Sequence, residues 1–70
     1  MSDMSDEEKV EAVYQAALEL LTAFGATDQD KQGLHKFVKQ MDANNYYWRR
    51  ECEEILTYVN NIIKLLEDQK

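Results

Sequence analysis

Between Leu34 and Leu66 the chain reads LHKFVKQMDANNYYWRRECEEILTYVNNIIKLL, and one set of residues in it keeps a heptad rhythm. Leu34, Val38, Met41, Asn45, Trp48, Cys52, Ile55, Val59, Ile62 and Leu66 follow one another alternately four and three positions apart, with Asn45 the single polar member. A 3.5-residue repeat holds one apolar stripe of a helix turned toward another helix. The stretch therefore predicts helix-on-helix packing and an all-α fold.

Two architectures are compatible with it. After Gly33 there is neither glycine nor proline as far as Lys70, and the heptad phase does not slip. This favours one helix over residues 28–67, roughly 60 Å long at 1.5 Å per residue, forming a hairpin with a shorter first helix. The first helix would cover only half of it, and the uncovered half would pair with a second copy in a homodimeric helical bundle, a coiled-coil-like arrangement. In that case Val38, Met41, Asn45, Trp48, Cys52, Ile55, Val59, Ile62 and Leu66 form the self-association seam, and Asn45 specifies register by pairing with its mate. The alternative starts from the weak helix formers Asp42, Asn44, Asn45, Tyr46 and Tyr47. A break near Asn44 and Asn45 would fold the chain into a monomeric three-helix bundle. The width of the last segment, where Leu56, Tyr58, Ile63 and Leu65 flank the seam, requires contact with at least two helices in either case.

Upstream, residues 1–5 read as a flexible tail and residues 6–70 as one helical domain. Ser5 followed by Glu8 fits a capping box, and Asp6, Glu7 and Glu8 suit the positive end of a helix dipole. Val10, Val13, Ala17, Leu20 and Phe24 then repeat at three and four, broadened by Tyr14, Leu18 and Leu21, so a helix is expected over 6–24. Gly25 is placed to end it as a left-handed cap. Thr27 or Asp28 caps the next helix after a short link, which joins antiparallel neighbours. Gly33, early in that helix, is expected to let the first helix approach closely.

With 70 residues and a formal charge of −6, the chain is of a size at which a single core gives marginal stability and oligomerisation often adds to it. A lone cysteine, Cys52, makes no internal disulfide, and no Cys/His cluster has metal-ligand spacing. No apolar run approaches the roughly 20 residues that span a bilayer, and the acidic start is unlike a signal peptide. These features point to a cytoplasmic protein without a membrane span. The net negative charge argues against nucleic acid as a partner. Charge is segmented: residues 1–30 carry a net −7, residues 31–50 a net +4 and residues 51–70 a net −3.

No catalytic, cofactor-binding or metal-ligating set stands out, and the chain does not read as an enzyme. His35 has no carboxylate or cysteine at i+3 or i+4. Cys52 lies among Glu51, Glu53 and Glu54, which disfavour a thiolate. The pairs Glu7/Glu11 and Glu51/Glu54 read as solvated helix faces. The most suggestive segment is Tyr46-Tyr47-Trp48-Arg49-Arg50, because Tyr, Trp and Arg are enriched at binding hot spots. With Trp48 directed inward, Tyr46, Tyr47, Arg49 and Arg50 are the candidate partner-binding residues. The expected function is a small acidic protein-interaction module acting as adaptor, regulator or inhibitor. A structural assembly subunit whose self-association is its function is one alternative. An acidic surface mimic that inhibits a nucleic-acid-binding protein is another.

Overall fold

The computed structural model describes residues 4–69 and consists of three helices: α1 (Asp6–Ala23), α2 (Asp28–Ala43) and α3 (Trp48–Asp68). Of the expected tail, residues 1–3 lie outside the described residues. Ser5 begins the helical part, its hydroxyl accepting a hydrogen bond from the Glu8 backbone N–H at 3.2 Å. The reciprocal capping box forms one helix later, where Thr27 and Asp30 exchange side-chain and backbone hydrogen bonds at 3.1 and 3.2 Å.

The expected helix over 28–67 is divided. The chain leaves helical geometry at Asn44 and resumes it at Trp48, because Asn45 adopts φ 57°, a left-handed conformation that asparagine tolerates better than most residues. The Tyr46 N–H then donates to the Met41 carbonyl at 3.1 Å and the Asn45 N–H to the Asp42 carbonyl at 3.1 Å. These are the two bonds of a Schellman motif, which satisfy carbonyls orphaned by the end of a helix. The first link repeats the geometry. Gly25 has φ 82°, Ala26 N–H donates to Leu21 and Gly25 N–H to Thr22. Asn45 is accordingly an exposed cap and not a buried register-setting amide.

Once the chain turns, the two halves of the heptad seam pack within one molecule. Val38 and Met41 on α2 and Ile55 and Val59 on α3 are buried with Leu34 and with Val10, Ala17 and Leu21 of α1. Trp48, Cys52 and Ile62 pack partly buried against that cluster, and Leu66 is half-buried. Val38, Met41, Ile55 and Val59, expected to bury against a second copy, thus bury against their own chain. α3 is the shared partner: α1 and α2 both pack on it and touch each other little.

Two smaller expectations also shift. On α1 it is Leu21 that is fully buried while Leu20 is 41% exposed, because Ala17 and Leu21, four apart, share the inward face. Gly33 gives close approach to α3 and not to α1. A Cβ at Gly33 would lie 2.5 Å from the Tyr58 hydroxyl, and the Tyr58 ring stacks on Phe37 with centroids 5.0 Å apart.

Candidate functional site

The N-terminal turns of α1 and α3 and the C-terminal turn of α2 meet at one end of the molecule, around an open cavity of about 720 Å³. α1 contributes Asp6, Glu7 and Glu11 to its lining, α2 contributes Asp42, and α3 contributes Glu51; among the described residues no Lys or Arg lines it. The aromatic wall comes from Tyr46, Tyr47 and Trp48. Capping chemistry explains part of this acidity, since Asp6 and Glu7 occupy the first turn of α1, where a carboxylate offsets the helix dipole. Asp42 has no such reason: it lies in the last turn of α2, the negative end.

Glu51 is the unusual member. Among the described residues it is the sole buried charged one, 3% exposed, and its Oε2 has no hydrogen-bond partner there. Burial first, and then the neighbouring Asp42 carboxyl, push its pKa up to about 7. Near neutrality this side chain exchanges between a neutral acid and a buried anion. The neutral acid can donate to the Asp42 carboxyl, whereas the anion leaves a buried oxygen that needs a donor.

The aromatic and basic residues of the Tyr46–Arg50 segment take different positions. Tyr46 and Tyr47 are 44% and 62% exposed, and Arg49 and Arg50 are exposed as well. Arg50 donates to Glu54 at 3.1 Å across one turn of α3. Trp48 lies inward against the core, with Lys9 Nζ 4.3 Å and the Arg49 guanidinium 5.3 Å from its ring centroid. Of the surface expected from sequence, Tyr46 and Tyr47 line the acidic cavity, and Arg49 and Arg50 are exposed outside its lining. The cavity was not foreseen from sequence, and Glu51, read there as part of a solvated helix face, is instead buried, because α3 packs against both α1 and α2. The legible clue was a glutamate directly beside seam residue Cys52, at a position that becomes inward once α3 touches two helices.

The remaining titratable residues have local roles. His35 is exposed, and its Nδ1 lies 3.1 Å from the Tyr14 hydroxyl, linking α1 to α2. Burial, followed by the charge of Glu11, raises the Tyr14 pKa. Cys52 is half-buried, and burial and then Glu51 raise its thiol pKa, so the thiolate needed for nucleophilic work is disfavoured. Among the described residues no group of three or more His, Cys, Asp or Glu side chains is arranged to hold a metal ion, although five carboxyls face one cavity. No helix among them is long and apolar enough to cross a membrane. Compared with protein-family models, curated proteins and solved structures, the chain matches none.

Proposed function

We propose that this chain is a small cytoplasmic protein-interaction module, an adaptor, regulator or inhibitor, which presents the Asn44–Tyr47 link and the first turn of α3 to a partner protein. The observation that carries this reading is Tyr47. It occupies the N-cap of α3, makes no side-chain capping bond, and is 62% exposed. Stability alone favours Ser, Thr, Asp or Asn at such a position by about 1 kcal/mol, and the other two helices of the chain do carry Ser5 and Thr27 there. The next two helical residues after Trp48, Arg49 and Arg50, put positive charge at the positive end of the α3 dipole. A run of residues that breaks the local rules of helix initiation and leaves its aromatics in solvent fits selection for contact with something else.

The test uses immobilised full-length chain and a cell extract, comparing the native sequence with Tyr46→Ala, Tyr47→Ala and Tyr47→Asp. A partner retained saturably by the native chain should be retained at least tenfold less by the tyrosine variants, while circular dichroism and thermal unfolding show intact helices. Equal retention by all four would remove the link from the binding surface.

Self-association as the function in its own right is a second reading, favoured by Leu56 and Leu65, which are exposed on α3, and by Leu20 on α1. With most of the seam engaged inside the chain, a homodimer would use these outer residues. Light scattering over a concentration series decides it, since a monomer at every concentration rules this reading out.

A further inference from the structure

We infer that the acidic cavity at the α1–α2–α3 end is a binding site for an organic cation, an ammonium or guanidinium group, with the buried Glu51 carboxylate as its counter-charge and Tyr46 and Tyr47 as its rim. The five carboxyls alone would not make a site. Glu51 supplies the second observation: it is 97% buried by its 3% exposure, it lines the cavity, and its Oε2 has no partner among the described residues. A carboxylate oxygen buried in the cavity wall without a donor is the complement of an N–H-bearing cation, which brings both a donor and the opposite charge once the side chain turns toward it.

Size and electrostatics narrow the class. A cavity of about 720 Å³ is in the range that takes a side chain or a small organic molecule. The carboxyls are too dispersed to form a metal-binding group, so their summed field acts over a volume and not at a point. Among the described residues no Lys or Arg lines the cavity. Lys9 and Arg49 are held over Trp48, and Lys9 is also 3.9 Å from Asp6. That pairing demonstrates on this chain the attraction of cations to the aromatic wall. It leaves the tyrosine rings at the rim for an incoming group.

The cation has two possible sources, a Lys or Arg side chain of a partner protein or a free amine. The first rests on the interaction reading above; the second does not. The experiment separates them. Isotope-labelled full-length chain is titrated by NMR with n-butylammonium chloride, with ethylguanidinium chloride and with an end-blocked peptide whose single charged residue is a lysine, each against sodium chloride of equal ionic strength.

The expected result is saturable shifts at the Glu51 carboxyl and the Trp48 indole that sodium does not reproduce, and a fall of one pH unit or more in the Glu51 titration midpoint at saturation. Glu51→Gln should weaken binding at least tenfold, and Asp42→Asn should do so to a smaller degree, giving a second variant should the first disturb folding. Binding of the peptide alone identifies a polypeptide side chain as the ligand, and binding of the simple salts identifies a free amine. Shifts no larger than those with sodium chloride, or unchanged affinity in both variants, would overturn the proposal and leave Glu51 and Asp42 as a structural acid pair. Such a failure leaves the tyrosine-dependent partner capture untouched, and loss of that capture leaves a small-molecule titration intact.

Discussion

Asn45 shows how one residue decides the path of this chain. At φ 57° it bears a strain that a glycine would not, since the left-handed region costs an L-residue about 1–2 kcal/mol and asparagine somewhat less. Asn45→Gly should therefore be neutral or slightly stabilising, and Asn45→Leu should lower stability by about 1 kcal/mol without altering solution mass. Urea denaturation of the two variants checks both. Glu51 makes a prediction of opposite character. Unfolded, it loses its proton near 4.5; folded, it keeps it up to about 7. Between those values the folded state holds the extra proton. Its contribution to stability is complete below 4.5 and is lost as pH rises through 7, a swing of at most roughly 3 kcal/mol. Glu51→Gln should flatten that slope and raise stability at pH 8 relative to the native chain, as read by unfolding at pH 5 and pH 8. A native chain equally stable at both, matched by the variant, would contradict the buried acid.

At the scale of an element, the three helix starts form a series: Ser5 with one capping bond, Thr27 with a reciprocal box, Tyr47 with none. Tyr47→Asp should add about 1 kcal/mol to stability, measurable as a higher urea midpoint, while weakening partner capture. Stability gained where binding is lost is the signature of a residue kept for contact. The α2–α3 packing gives a paired prediction. Gly33→Ala gains up to about 1 kcal/mol of helix propensity but drives a methyl group against the Tyr58 hydroxyl. It should destabilise the native chain and stabilise a Tyr58→Phe background, where the next nearest ring atom is 3.8 Å from the new Cβ. A double-mutant cycle measures the coupling.

At the scale of the molecule, helical class, the starts of α1 and α2 and the first link were legible from local rules. Capping residues, Gly25 and the apolar periodicity are each determined within a few positions. The second link was harder for a physical reason. A heptad phase records spacing along the chain and is blind to direction, so Met41 and Trp48, seven apart, stay in phase whether the residues between them form two helical turns or a reversal. Comparison of the two links would have settled it: Leu21 and Ala26 bracket Gly25 as Met41 and Tyr46 bracket Asn45. The exposed candidate residues Tyr46, Tyr47, Arg49 and Arg50 could be picked by type alone. The cavity beside them could not, because it is built from acids on three elements whose meeting depends on that reversal.

The two Schellman links also bear on how the molecule reaches its fold. Each is closed by hydrogen bonds spanning five residues or fewer, so the points at which the chain reverses are specified before any helix meets another. The sequence contains no proline, which removes the slow isomerisation that delays many refolding reactions. What remains is the docking of α1 on α3 across the whole of α2, the step with the largest sequence separation. Helical proteins of low contact order fold in microseconds to milliseconds. Refolding from urea should follow a single exponential in that range, and Ala17 and Leu21, on the α1 face that completes the core, are the positions whose truncation should reveal whether that docking limits the rate.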